Sequence, residues 1–509
     1  MNKAIKTVSF IAVVTMLAKI LGLWRDVALG GIYGTGVQSD AYVIASRIPL
    51  LFFDFTLGAA IVSTFIPVFN KYLQHGKDGK ARDFANNFIS IVFVIAAAFC
   101  VIGMLFHRQL TAVMAPGSSA ETKELAARLL LVMLPTIILT TLAYSFVGLL
   151  QSYGNFGVPA IISLVSNAAI IVYLYCFNSR FGIYGLAFAM LIGWSLQVFV
   201  QIPSLVKLKF RYRPRLNLKD EGIRDVFVLA LPILISSWIQ PICVLINTIF
   251  ASFMQEGTVT SLEYANRLYI IIVGVFAFAI TNYVFPALSK FSAGSDTTEF
   301  SGVMKKSVQG MTALVAPIMA GMILLSKEIT TLTYMRGKFD ESSVALTSTA
   351  LMFYAAGMIF YGTNEVLNKC FYAMEDGKTP MYSSVLGITS TLIFTPLFSY
   401  VFHMGIGGLA LSVSLSTLVI SINLIIQMQK KFPDFTDRGM RIFLLEITAA
   451  VLVMSAAVYA VKLLTAQYGV LAMTALSTLA GAAVYMLMAY LLKMDRYIRN
   501  TTERADSVL

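Results

Sequence analysis

Three histidines and four cysteines in 509 residues leave little material for metal or thiol chemistry. His75, His107 and His403 fall at the ends of apolar runs, and none is paired with a nucleophile. Cys100, Cys176, Cys243 and Cys370 lie inside such runs without metal-ligand spacing, so they read as small core residues. No Gly-rich stretch ends in Gly-Lys-Ser/Thr, which excludes nucleotide hydrolysis by the chain itself. No catalytic constellation emerges, so the reading is not an enzyme, with no cofactor and no metal. Charge is scarce too: 13% of residues are Asp, Glu, Lys or Arg, against 58% hydrophobic, and the mean hydropathy is +0.78. That balance excludes a soluble, a disordered or a fibrous chain.

What is abundant is apolar length. Runs of about 20 residues, each enough to span the ~30 Å hydrocarbon core, recur throughout. They are too long and too uniformly apolar for barrel strands, and backbone groups in lipid must be satisfied internally, so they are expected to be helices. Fourteen spans are predicted: 5–31, 39–70, 84–107, 124–151, 159–180, 183–208, 225–254, 260–290, 304–326, 344–373, 380–402, 406–429, 441–464 and 469–492. The first carries Lys19 and Arg25 and lacks a small-residue cleavage site, so it is expected to remain as a transmembrane helix rather than leave as a signal peptide.

Lys and Arg set the expected sidedness. Of the 38, 26 lie at the N-terminus, after even-numbered spans or in the C-terminal tail, 8 lie on the opposite side, and Lys19, Arg25, Arg47 and Arg267 lie inside spans. The positive-inside rule then places both termini in the cytoplasm. This distribution, rather than nucleic acid, accounts for the net charge of +12. The basic run from Lys207 to Arg215 reads as attraction to anionic membrane lipid.

A repeat offset by about 220 residues is also visible. Ala45-Ser46-Arg47-Ile48 returns as Ala265-Asn266-Arg267-Leu268, and Gly182-Ile183-Tyr184-Gly185 as Gly405-Ile406-Gly407-Gly408. Thr64-Phe65-Ile66-Pro67, followed by Lys71, returns as Asn282-Tyr283-Val284-Phe285-Pro286, followed by Lys290. Spans 1–6 therefore match spans 7–12 in one orientation, a parallel repeat that suits a transporter with a cavity between two rocking lobes. The expected division is 1–222, 223–432 and 433–509, the last holding two added helices and a tail.

The charges inside the spans are the candidate site. A charge at mid-bilayer costs about 2.5–3.5 kcal/mol on the mildest scale, so Lys19, Arg25, Asp26 and Arg47 must face a protein-lined or wet interior. Spacing by seven puts Lys19 with Asp26, and Asp40 with Arg47 and Asp54, on common helix faces. Arg25 is rotated by about 100° from Asp26, so Asp26 is expected to pair with Lys19 or with another span. Arg267 matches Arg47 in the repeat, and Glu263 and Glu365 are the acids of the second half. Buried ion pairs seldom add net stability over apolar packing, so several of them point to a use. Arginine's planar fork suits phosphate, which makes an anionic cargo the expected substrate.

Several stretches resemble the MurJ (MviN) family of lipid II flippases, within the multidrug/oligosaccharidyl-lipid/polysaccharide exporter superfamily. They are Leu21-Gly22-Leu23-Trp24-Arg25-Asp26, Ser39-Asp40-Ala41-Tyr42, Asn247–Phe253 with Tyr264–Leu268, Tyr334–Phe339, and Phe371–Pro380. The resemblance implies an all-α fourteen-helix fold with two pseudo-symmetric six-helix lobes and two C-terminal helices around a central cavity. It implies transport of the undecaprenyl-pyrophosphate-linked disaccharide-pentapeptide from the inner to the outer leaflet of the bacterial cytoplasmic membrane, for peptidoglycan synthesis. Family cavity residues map onto Lys19, Arg25, Asp26, Asp40 and Arg267, and the last two helices are expected to hold the lipid tail in a groove. Many members carry an arginine pair and a glutamate after the proline of the second span. Here Pro49 is followed by Leu50-Leu51-Phe52-Phe53-Asp54, so part of that set is missing.

The binding residues read from this sequence are thus Lys19, Arg25, Asp26, Asp40, Arg47 and Arg267, supported by Asp54, Glu263 and Glu365. The expected partners are lipid II or a similar polyprenyl-pyrophosphate glycan, and membrane lipids. A monovalent ion of unidentified kind, the membrane potential or the cargo gradient is left to supply the drive. The alternatives are a flippase for another polyprenyl-linked glycan, a cation-coupled drug exporter, which would favour a cavity dominated by Asp and Glu, and a non-transporting scaffold.

Overall fold

The computed structural model describes residues 3–56, 58–74, 78–274 and 297–494. Among these there is no strand, and twenty α-helices follow one another. Among the described residues eight helices are long and apolar enough to cross a bilayer, and two bent helix pairs bring that number to ten. The chain is a multi-pass α-helical membrane protein. His75 and the second-half copy Tyr283–Pro286 lie outside the described residues.

Packing divides the chain into two compact units, Met1–Thr260 and Ser261–Leu509. The first holds α1 (Lys3–Tyr33), α2 (Val37–Thr56), α3 (Gly58–Gln74), α4 (Asp78–Leu105), α5 (His107–Met114), α6 (Ala120–Met133), α7 (Thr136–Ser152), α8 (Gly157–Cys176), α9 (Asn178–Lys207), α10 (Glu221–Ser237) and α11 (Ile239–Ser252). α1 packs on α8, and α10 packs on α3, so α10 and α11 group by contact with the first unit. Helix α12 (258–274) runs across the division.

The second unit holds α13 (Thr297–Leu324), α14 (Ser326–Tyr334), α15 (Glu341–Ala355), α16 (Met358–Ala373), α17 (Lys378–Pro396), α18 (Gly405–Lys431), α19 (Arg438–Thr465) and α20 (Val470–Leu491).

The repeat read from sequence extends into the irregular parts of each unit. α6 and α7 form one span bent by 43° where Pro135 starts the second helix, because proline cannot supply the amide that a continuous helix needs. α15 and α16 form one span bent by 46° at Ala356-Gly357, where a Cβ on Gly357 would lie 2.7 Å from Ser414 Oγ. The short helices α5 and α14 precede the two bent spans and start from similar turns, at Phe106 (φ −110°, ψ 20°) and Leu325 (φ −113°, ψ 18°). Ser119 caps α6 by accepting from the Thr122 amide, and Asp340 caps α15 by accepting from Ser343.

Both interiors combine aromatic and polar contacts. In the first unit Phe65 meets Phe69, Phe84 and Phe88 at ring distances of 5.3, 5.5 and 5.0 Å, contacts that add about 0.5–1.5 kcal/mol each beyond area burial. In the second, a polar ladder joins α17 to α18 through Thr395 with Ser412 (2.9 Å), Thr391 with Ser416 (2.9 Å) and Asn423 with Ser383 (2.8 Å). Such bonds average roughly 0.6 kcal/mol in membrane interiors, and small residues let the helices approach closely enough to make them.

Candidate functional site

α1 shows why its charges are tolerated. Val13, Met16, Leu17, Ile20 and Trp24 form an exposed apolar stripe along one side. At 100° per residue, Lys19, Arg25 and Asp26 all fall on the half turned away from that stripe. Asp26 is buried, and Lys19 and Arg25 are half-buried.

The Arg25 guanidinium is held in a defined plane. Its Nε and Nη2 donate to Asp26 Oδ1 at 3.0 and 2.7 Å, and its Nη1 donates to Asn167 Oδ1 on α8 at 3.0 Å. The expectation that adjacent Arg25 and Asp26 would not pair is thereby corrected. Cβ positions of adjacent helix residues do diverge, but the arginine side chain is long enough to swing its fork back onto the neighbouring carboxylate. Asn167 also donates from Nδ2 to the Ala18 carbonyl at 3.4 Å, beside Gly22, whose Cβ position lies 3.6 Å from that nitrogen. One amide thus ties α8 to the backbone of α1 and to its arginine. Sequence reasoning missed Asn167, although a lone carboxamide in the apolar stretch Ala160–Cys176 was the available signal. Tyr42 on α2 lies close enough to Arg25 and Asp26 to interact with both charges.

Asp40 has a different environment. Its Oδ2 accepts from the Gly257 amide at 2.7 Å, and its Oδ1 accepts from the Thr260 amide at 2.9 Å and the Thr260 hydroxyl at 2.6 Å. Both carboxylate oxygens therefore serve the first turn of α12, satisfying amides that a helix start leaves open. Gly257 has φ +88°, and a Cβ there would meet Thr35 at 3.0 Å, so this turn needs glycine. Arg47 is half-buried, and Asp54, two turns further along α2, interacts with its charge.

In the second unit Arg267 Nη2 meets Glu263 Oε1 at 3.1 Å one turn back along α12. The Arg267 side chain stays 42% exposed, enough for its fork to meet a ligand as well as Glu263. Glu365 on α16 is half-buried among Tyr269, Tyr361 and Tyr372, each close enough to feel its charge. The structure thus brings Arg25 together with Asp26, Arg267 together with Glu263, and Asp40 together with a helix end.

Two stretches that carried the resemblance have structural explanations. Tyr334 is fully buried, stacked on Tyr264 at 4.9 Å and against Phe339 at 5.5 Å. At the end of α16, Glu375 adopts φ +58°, and the Asp376 amide reaches back to the Phe371 carbonyl at 2.9 Å. Asp376 then accepts from the Thr379 amide and hydroxyl at 3.1 and 2.8 Å and from Lys431 Nζ at 2.8 Å. Burial disfavours its charge, but these donors outweigh burial and hold the carboxyl below its usual value of 3.8.

The cysteines need a partial correction. Cys100 and Cys370 are buried as expected, whereas Cys243 is half-buried and Cys176, the last residue of α8, is exposed. A thiol is apolar enough for a lipid-facing position, so an apolar run does not by itself imply a core site. Among the described residues no three His, Cys, Asp or Glu side chains are placed to hold a metal ion.

The arrangement can offer oriented guanidinium groups to an anion at little conformational cost, since a carboxylate and an amide already fix the Arg25 fork. A family model described as lipid II flippase MurJ matches residues 30–479. The probable lipid II flippase MurJ of Bdellovibrio bacteriovorus is 27% identical over 98% of this chain and 96% of its own length. That of Buchnera aphidicola subsp. Schizaphis graminum is 27% identical over 89% and 88%. A solved lipid II flippase MurJ in an inward closed conformation aligns with TM-score 0.82 and 26% identity, covering 95% of this chain and 99% of that one. An inward-facing multidrug MATE transporter of the MOP superfamily shares the fold at TM-score 0.70 and 14% identity, over 86% of this chain and 100% of that one. With 450 consecutive positions under one family model and the same helical fold in a solved member, the chain belongs to the MurJ lipid II flippase family.

Proposed function

We propose that the protein carries lipid II from the inner to the outer leaflet of a bacterial cytoplasmic membrane by alternating access, with both termini in the cytoplasm. The observation that carries the reading is the Arg25 fork, oriented by Asp26 and Asn167 on the half of α1 opposite its exposed apolar stripe. A diphosphate needs donors in such a fixed plane, and its polar headgroup cannot cross hydrocarbon unaided. In the first unit Arg25 contacts the diphosphate, with Lys19, Asp26 and Arg47 completing its polar surface and Asp54 balancing the charge; in the second, Arg267 does so with Glu263 and Glu365 as the balancing acids. Asp40 serves by holding the start of α12. Release requires an outward state that binds the headgroup more weakly, because equal affinity in both states shifts no population. An ion gradient or the membrane potential supplies the bias.

Replacing Arg25 or Arg267 by alanine should abolish lipid II translocation in proteoliposomes while the purified protein keeps its thermal transition. Normal growth of a strain carrying either variant as its only copy would overturn the assignment.

A further inference from the structure

Residues 208–220, between α9 and α10, form no helix, yet they are tightly held. The chain leaves α9 through a left-handed residue, Lys209 (φ +53°), with the Lys209 amide bonded to the Val206 carbonyl at 2.9 Å and the Phe210 amide to the Leu205 carbonyl at 3.1 Å. It then runs extended along the first turns of α4. The amides of Arg213, Arg215 and Asn217, every second residue, donate to Asn86 Oδ1 (3.1 Å), Ser90 Oγ (3.1 Å) and Asn87 Oδ1 (2.8 Å). Asn87 Nδ2 donates back to the Asn217 carbonyl at 2.8 Å, Tyr212 Oη shares a hydrogen bond with Ser90, and Arg215 pairs with Asp83 at 2.9 Å. Asp83, Asn86, Asn87 and Ser90 lie on one face of α4, so that face is a polar track for the strap.

The track fixes the strap's backbone and leaves its cations outside. Lys207, Lys209, Arg211, Arg213 and Lys219 are all exposed. Between them Tyr212, Leu216 and Leu218 are 48%, 66% and 71% exposed. Cations interleaved with exposed apolar side chains, between the ends of α9 and α10, match the two chemistries of a bilayer interface: anionic headgroups and the upper acyl chain.

We propose that this strap is a preorganised docking surface for anionic phospholipid headgroups of the leaflet that it faces. The proposal rests on the sidedness given above, which makes that leaflet the cytoplasmic one, and is independent of what the transporter carries. It differs from a diffuse attraction of basic residues because the α4 track sets the spacing of the cations.

The test uses the full-length protein in nanodiscs of mixed phosphatidylglycerol and phosphatidylcholine, reading the phosphatidylglycerol retained on purification in detergent. The wild type should retain it preferentially. The triple variant Lys209→Gln, Arg211→Gln, Arg213→Gln should lose that preference by roughly fivefold or more. Asn87→Ala, which keeps every charge but removes the paired bonds to Asn217, should lose most of it too, and Ser90→Ala should lose part. Two outcomes overturn the proposal: a triple variant with wild-type retention, or an Asn87→Ala protein that is folded, with Cys100 protected from thiol reagent, and keeps full preference. A control removing three exposed cations elsewhere, Arg108→Gln, Arg336→Gln, Lys338→Gln, should leave retention unchanged. If it lowers retention as much as the strap variant, bulk charge explains the effect and the docking surface is refuted. Lipid II transport is not part of the readout, so a failure here leaves the flippase reading untouched.

Discussion

Asp40 separates a helix clamp from a cargo ligand, and the two roles predict different measurements. Its carboxylate accepts three hydrogen bonds from Gly257 and Thr260 at 2.6–2.9 Å, and its residue surface is only 4% exposed. Asp40→Ala leaves those donors without a protein acceptor in a site where water has poor access. Each unsatisfied buried donor costs about 1–3 kcal/mol, but the three share one carboxylate and their losses do not add in full, so a net loss of about 3 kcal/mol is expected. For a unit of this size that corresponds to roughly 6–12 °C in the midpoint of thermal unfolding. Asp40→Asn should fall between, because the amide oxygen can still accept from Thr260 while its NH2 opposes the Gly257 donor. The protein provides its own reporter: Cys100 lies on α4 in the same unit and is buried. With Cys176, Cys243 and Cys370 replaced by alanine, a thiol-reactive dye added during heating reads the unfolding of that unit. An Asp40→Ala protein with an unchanged midpoint would refute the clamp, and lost transport at that unchanged midpoint would return Asp40 to the cargo site.

Asn167→Ala should cut lipid II transport about tenfold or more, since a hydrogen bond to a charged group contributes about 1.5–3 kcal/mol and here it orients Arg25; wild-type transport in proteoliposomes would refute the role. Tyr334→Ala should destabilise the second unit by about 3–5 kcal/mol through the cavity left against Tyr264 and Phe339, read as early exposure of Cys370 to a thiol dye. The depressed Asp376 carboxyl predicts an acid-side effect with a definite sign. Its contribution is complete above its unfolded value of about 3.8 and is lost as pH falls through its lower folded value. The thermal midpoint of Asp376→Asn should therefore lie below that of the wild type at neutral pH and converge with it below about pH 4. A constant gap across that range would show that the carboxylate's charge contributes nothing.

The helical class was legible because it follows from apolar length, and the cost of charge in lipid accounts for the charges of α1 lying on the half away from its exposed stripe. The bend at Pro135 was also visible in principle, whereas its counterpart at Gly357 arises from close approach to Ser414, a contact 57 residues away in sequence. Helix ends were harder. Lys209, Glu375 and Lys493 adopt left-handed conformations where glycine is the usual signal, and in each the amide of the following residue reaches back to a carbonyl five residues earlier. No local composition announces that, because the hydrogen bonds that compensate the strain involve residues with no special chemistry. The Arg25–Asp26 pair was misjudged by a rule about Cβ directions that ignores the reach of a guanidinium. Cys176 was misjudged because an apolar face toward lipid and one toward a core look alike in sequence.

Recognition and function also separate in this chain. The stretches at 334–339 and 371–380 identify the family, yet the structure accounts for them by packing and capping: a buried tyrosine stack, a reversed helix end, a carboxylate shared by Thr379 and Lys431. Such constraints bind any protein with these helix connections, whatever it carries, so they say which fold is present and little about cargo. The charges inside the spans are the reverse case. Arg25 with Asp26 and Arg267 with Glu263 are dispensable for packing, since apolar side chains of similar size would hold the same helices with no desolvation cost. In helices that must live in lipid such pairs fit a use better than they fit stability, and a carboxylate beside each arginine suits the cargo role proposed above. It keeps the guanidinium solvated and oriented in the absence of an anion, so in the proposed role an arriving anion would exchange one partner for another instead of meeting a bare charge.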